Sequence, residues 1–268
     1  MAAEAPADIV AFGSDRLDVL DPDGVAAVLR TLCPSAVVNT AAVSNVDVAE
    51  REPARAYAVN ATAAGRVAEA CAALGIPLIH ISTDYVFGAD TDKPWTEADP
   101  PSPINIYGSS KAEGEQRVLA AGAAMHVVRV AWLFGDRNDF ISQILRRGDE
   151  IVRVAGDQIG SPTPISEAAR RIVVLARRLA SNDLKLPSIL HLAGAPAASR
   201  FDWVEAALDG LRASGRPVPH VISASMTDFT TFAPRPCYSA LDSSISAKLF
   251  GSAIDWRLTA CAHTTFTD

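Results

Sequence analysis

Cysteine is sparse in this 268-residue chain, and it forms no cluster. Cys33, Cys71, Cys237 and Cys261 lie far apart with no Cys-x-x-Cys pair, so buried free thiols are the expected state. The five histidines, His80, His126, His191, His220 and His263, show no His-Glu-x-x-His or similar spacing, so no protein-ligated metal is expected. His80 and His191 sit inside apolar, strand-like runs and read as core groups. No window approaches the roughly 18 uninterrupted apolar residues of a membrane span. The N-terminal stretch Met1–Pro6 carries an acid, no basic residue and no apolar core, so it does not read as a signal peptide. Positive charge is in deficit: the net charge is −7 and the isoelectric point is near 5.2. With no basic stripe, nucleic acid is not an expected partner. The expectation is a cytoplasmic protein with neither nucleic acid nor membrane as partner.

What is present is a globular composition, 49% hydrophobic and 21% charged. The length suits one large α/β domain, or a core with a smaller lobe. Strand and helix patterns alternate. Asp8–Phe12 reads as a short buried strand. Pro22 to Leu32 has helical periodicity, with Asp21 as N-cap and Pro22 at the first helical position. Ala36–Asn39 reads as a strand that runs into the small residues Thr40, Ala41 and Ala42. Pro53 to Ala73 reads as a long Ala-rich helix closed by Gly75 and Pro77. Leu78–Ile81 and Met125–Val130 read as strands. After residue 135 the pattern loosens, but helices over 167–180 and 201–213 and a strand at Ile189–Leu192 remain legible. Strands spaced by helices imply βαβ units and a Rossmann-like, doubly wound parallel sheet. The expected division is a core over 1–135, with a returning strand near 189–193, and a substrate lobe over 136–268. In such folds ligands bind outside the carboxyl ends of the strands, where Thr40–Ser44, Ser82–Asp84 and Ala131–Trp132 fall.

The most informative feature is a strand end, Ser82-Thr83-Asp84-Tyr85-Val86-Phe87, followed by Tyr107-Gly108-Ser109-Ser110-Lys111. On a helix, Tyr-x-x-x-Lys places a phenol and an ammonium on one face, one turn apart. A neighbouring ammonium favours the phenolate and draws a phenol of ordinary pKa about 10 towards neutrality. Such a group can hand a proton to a carbonyl oxygen as hydride reaches its carbon.

In these stretches the chain resembles the dTDP-4-dehydrorhamnose reductase family of extended short-chain dehydrogenase/reductases. The resemblance continues through Val38-Asn39-Thr40-Ala41-Ala42, Asn45–Glu50, Glu52-Pro53, Ala58-Val59-Asn60, Ser102-Pro103 and Glu113-Gly114-Glu115. It is completed by Arg129–Trp132, Asp157–Thr163, Arg235-Pro236 and Ser239–Asp242. It implies reduction of the 4-keto group of a dTDP-4-dehydro-6-deoxy sugar with NADPH or NADH. Tyr107 would be the proton donor, Lys111 would hold the nicotinamide ribose and acidify Tyr107, and Thr83 would assist at the reacting oxygen. Trp132 would pack on the sugar; a core role is its alternative. Ala42, Val43 and Ser44 would line the cofactor, and Asp18 with Val19 would lie near the adenine; a loop acid leading into the helix is an equal alternative for Asp18. Arg16 reads as a solvated charge rather than a ligand of a 2′-phosphate. Asn60 would buttress the site from its helix, and Asp84 would cap a strand end. The expected partner is a dTDP-sugar, with room for a homodimer. Mg2+ enters by resemblance only, since no spacing here places a metal.

One family element has no counterpart. The family opens with a strand and a Gly-x-x-Gly-x-x-Gly loop whose backbone approaches the cofactor pyrophosphate. Here the first glycines are Gly13 and Gly24. Three accounts stay open: the protein continues upstream of Met1, another element covers the gap, or cofactor binding is lost. Two other functions stay open as well. One is a non-catalytic regulatory subunit of the same fold, like the β subunit of methionine adenosyltransferase; the other is a sugar-nucleotide epimerase.

Overall fold

Four segments rich in aliphatic residues, Val37–Asn39, Leu78–Thr83, Met125–Val130 and Ile189–His191, pair in parallel in that order. They form the main sheet of a computed structural model that describes residues 8–135, 139–148, 150–182, 186–213 and 215–260. Met1–Pro6, Cys261 and His263 lie outside these residues.

Side-chain alternation along the strands divides their neighbours between two faces. Leu78, Met125 and Val127 join Val25, Leu29, Val67 and Val118 in one apolar cluster, beneath the helices Pro22–Leu32, Ala64–Ala73 and Ile106–Ala120. Ile79, Val128 and Val130 join Leu175, Leu179 and Leu190 in a second, beneath Ile165–Ala180 on the opposite face. Helices on both faces of a parallel sheet are the doubly wound arrangement read from the sequence.

The helix Pro22–Leu32 starts as expected, with the Asp21 carboxylate accepting from Asp23 and Gly24 N–H. Pro53–Ala73 is helical throughout, but a π-helical stretch, Ala58–Ala63, separates the α-helical parts Pro53–Tyr57 and Ala64–Ala73. The strand expected at Asp8–Phe12 does not form. Its apolar residues face water, with Val10 62% exposed and Phe12 37% exposed. An apolar run gains ladder hydrogen bonds only beside a partner strand; this one is held by an exposed Asp8–Arg177 ion pair. Two thiols also depart from expectation: Cys71 is buried, but Cys33 and Cys237 are exposed.

A third apolar cluster forms around Trp203, joining residues beyond 135 to Val86, Phe87 and Trp132. There the helix Arg200–Ala213 lies on the parallel pair Ile151–Ala155 and His220–Ala224. This region reaches back to the sheet's carboxyl end through Trp95, whose N–H donates to the carbonyl of Ala240 at 2.8 Å.

Candidate active site

The helix carrying Tyr107 is fixed at its start by three polar contacts. The Asn105 side chain accepts from Gly108 N–H at 2.8 Å and donates to the Pro234 carbonyl at 2.9 Å. The Glu50 carboxylate accepts from Ile106 N–H at 2.9 Å, an anion at the positive end of a helix. Gly108 then permits an unusually close approach. A Cβ there would lie 2.0 Å from the carbonyl oxygen of Tyr85, in the turn that ends the central strand. That contact brings the Tyr107 phenol up to the Thr83 side chain, near enough to influence its ionisation, and sets its ring edge-on to Tyr85, centroids 5.9 Å apart.

Lys111 follows one helical turn later and is buried. Its Nζ donates to the carbonyl of Ile81 at 2.5 Å and lies 3.1 Å from His80 Nε2. Burial pulls the ammonium down to about 8, partly opposed by the Glu115 carboxylate. Glu115 is itself clasped by Arg129 through two hydrogen bonds of 2.9 and 2.6 Å. Tyr107 behaves differently from the expectation that Lys111 acidifies it. Burial pushes the phenol up to about 12, the Thr83 hydrogen bond opposes that rise, and the charge of Asp84 adds to it. The lysine nitrogen is turned to the strand, so desolvation of the phenolate prevails. A phenol held this way keeps its proton at neutral pH and can act as an acid.

Asp84 is no simple strand cap. One carboxylate oxygen accepts from Thr83 Oγ1 at 3.0 Å and the other from Ser239 Oγ at 2.6 Å. Burial lifts its pKa to about 6 against those bonds. Asn60 does buttress the site: it accepts from Val43 N–H at 2.8 Å, donates to the Val43 carbonyl at 3.2 Å and donates to Ser110 Oγ at 2.9 Å. It thereby ties the Ala42-Val43-Ser44 segment to the helix of Tyr107 and Lys111.

Asp18 and Val19 stand in the turn before Pro22–Leu32, where Asp18 accepts from Leu20 N–H at 2.9 Å. Among the described residues no hydrogen bond links them to Tyr107, Lys111 or Thr83. Arg16 is exposed and lies over the Phe12 ring, 5.1 Å from its centroid. Trp132, at a backbone φ of +39°, is only 8% exposed and belongs to the apolar cluster. Its ring face is covered by the Arg200 guanidinium, 3.6 Å from the centroid. Arg200 went unnoticed in the sequence. It also donates to Gln158 Oε1 at 3.3 Å and feels the Tyr85 hydroxyl and the charge of Asp84. The signal available was a cation at the first position of a helix, where the dipole disfavours it.

The RmlD substrate binding domain family matches residues 1–264. A dTDP-4-dehydrorhamnose reductase of Mycolicibacterium smegmatis is 40% identical, across 93% of this chain and 75% of that protein. One from Aggregatibacter actinomycetemcomitans is 32% identical, across 93% of this chain and 87% of that protein. A crystal structure of the Bacillus anthracis dTDP-4-dehydrorhamnose reductase in complex with NADP superposes with a TM-score of 0.87 at 32% identity, covering 97% of this chain and 90% of that one. The strand-end threonine, the helical tyrosine and lysine, and these matches place the chain in the RmlD family of dTDP-4-dehydrorhamnose reductases.

Proposed function

We propose that the chain reduces the 4-keto group of dTDP-4-dehydrorhamnose to give dTDP-L-rhamnose, using NADPH or NADH. The observation that carries this reading is the Tyr107 phenol set against Thr83, with buried Lys111 one turn away. The donor set fits the nicotinamide-ribose end of such a cofactor. Lys111 and Tyr107 offer donors to ribose hydroxyls, and the buried Ser82 hydroxyl has no protein partner. No glycine-rich turn for the pyrophosphate occurs among the described residues.

When bound, the nicotinamide supplies hydride to the carbonyl carbon. Tyr107 gives its proton to the 4-keto oxygen, and Thr83 holds that oxygen beside the phenol once its hydroxyl turns from the Asp84 carboxylate. Lys111 would hold the ribose of the cofactor, Ala42, Val43 and Ser44 would line it, and Asp18 with Val19 would meet its adenine end. Trp132 meets the deoxysugar once Arg200 leaves its ring face. Residues 1–135, with the strand Ile189–His191, serve as the cofactor core, and 136–268 mainly as the substrate side. Among the described residues no group of three or more His, Cys, Asp or Glu could hold a metal ion, and no step is assigned to Mg2+.

The test is turnover of the purified protein with the dTDP-4-keto sugar, followed as loss of reduced nicotinamide. Tyr107→Phe should lower kcat by roughly 10²–10⁴-fold and leave sugar-nucleotide binding, measured by calorimetry, in place. Absence of turnover with both NADPH and NADH would overturn the reading.

A further inference from the structure

The Thr83 hydroxyl has one proton, and the structure shows it turned away from the place where a substrate oxygen would sit. Thr83 Oγ1 donates to Asp84 Oδ1 at 3.0 Å and accepts from Tyr85 N–H at 3.2 Å. What remains for the active site is a lone pair, which a keto oxygen cannot use. The other carboxylate oxygen, Asp84 Oδ2, accepts from Ser239 Oγ at 2.6 Å. Ser239 belongs to the C-terminal part of the chain, and its own N–H donates to the carbonyl of Ile159 at 2.9 Å. Asp84, Thr83 and Ser239 are all buried.

The Thr83 proton can be freed in two ways. Rotating the hydroxyl away from an ionised Asp84 strips Oδ1 of its side-chain donor, and that loss is costly for a buried carboxylate. A proton on Oδ1 reverses the bond instead. Oδ1–H then donates to Thr83 Oγ1, whose two lone pairs face Oδ1–H and Tyr85 N–H. The Thr83 proton is left to point into the active site. Ser239 decides which oxygen is loaded. As a donor to Oδ2 it keeps that oxygen an acceptor and leaves Oδ1 for the proton.

We propose that Asp84 and Ser239 are positioning residues that turn the Thr83 proton from the carboxylate to the substrate oxygen when Asp84 Oδ1 is protonated. That proton comes from solvent and stays on Asp84; the one that reaches the product oxygen comes from Tyr107. The groups facing the carboxylate are Thr83 and Tyr85 beside it, Tyr107 from its helix, Ser239 from the C-terminal part and Arg200 from the start of its helix. Burial lifts Asp84 to about 6, so the free protein at pH 7 holds mostly the carboxylate, which is the resting form. Loading also removes the negative charge that helps to push Tyr107 up. The phenol thus becomes a stronger acid in the same state in which Thr83 becomes a donor. The role in turnover rests on the reductase reading; the titration of Asp84 and its dependence on Ser239 do not.

Carboxyl-carbon NMR on aspartate-labelled protein reads that titration without any turnover. Asp84, assigned by its absence in Asp84→Asn, should titrate between about pH 5 and 7. Ser239→Ala removes a hydrogen bond to the charged form and should raise the midpoint by about half a pH unit or more, whereas Ser239→Thr should keep it near that of the unaltered protein. A midpoint at or below the ordinary 3.8, or one that Ser239→Ala leaves in place, would overturn the proposal. In turnover, kcat/KM should fall roughly tenfold per pH unit above the Asp84 midpoint. In Asp84→Asn the amide nitrogen can donate to Thr83 at every pH while the amide oxygen accepts from Ser239, so kcat/KM should stay nearly level across about pH 5.5 to 7.5. A level profile in the unaltered protein, or an equally steep fall in Asp84→Asn, would overturn the proposal. Absence of turnover with the titration and its Ser239 dependence intact would count only against the reductase reading.

Discussion

Tyr107 shows how one small neighbour sets the chemistry of a residue. Its phenol reaches Thr83 because residue 108 has no side chain, the space being taken by the Tyr85 carbonyl. Gly108→Ala should force helix and turn apart, costing about 1–3 kcal/mol in urea denaturation and lowering turnover together with stability. Unchanged stability would mean that the turn yields freely. The proton state of Tyr107 was less legible than its position. Tyr-x-x-x-Lys spacing gave the shared face, but it could not show that Lys111 reaches back to Ile81 and His80 instead of the phenol. Burial, a property of the assembled fold, then decides the direction of the shift.

Among the elements, the ones easiest to read carried local punctuation. Asp21 and Pro22 mark the start of Pro22–Leu32 and the structure uses both. The π-helical stretch Ala58–Ala63 had no such mark in an Ala-rich run. Its cause is tertiary. Asn60 leans across to Val43 and Ser110, and its backbone carbonyl lies where a Cβ at Gly114 would be, 2.1 Å away. Asp8–Phe12 failed as a strand for a related reason: composition reports a taste for burial, not the presence of a partner. Asn60→Ala should strip the Val43 backbone of both partners and cost about 2 kcal/mol or more, measured by denaturant unfolding. A loss below a few tenths would show that water replaces the clamp.

The whole molecule carries a pH signature written by its buried imidazoles. Burial holds His191 near 3 and His80 well below its ordinary value. Both are neutral when folded and take up protons when unfolded below about 6.5. Their contribution to stability is complete above about 6.5 and is lost as pH falls, for His191 down to about 3. Asp84 acts the other way: its folded value, about 6, lies above the ordinary 3.8, so it favours the folded state as pH falls through that interval. Glu167, held near 2 by Arg170 and Arg171, adds to the acid loss below 4.5. Two imidazoles outweigh one carboxyl, so Tm should decline from pH 7.5 to 5, and His191→Asn should flatten the decline. A Tm that rises on acidification would contradict this account.

The two-faced sheet has a last consequence, for fidelity. Along Leu78–Thr83, Leu78 and Ile79 belong to opposite cores, and His80 sits on the face that meets Lys111. A slip of this strand by one residue would exchange the contents of both cores at once. It would also swing His80 away from Lys111 and move Thr83 off Tyr107. Misalignment of the reacting groups is therefore never a small error that the fold tolerates. The apolar packing proofreads the register, and the chemistry inherits the accuracy of that check.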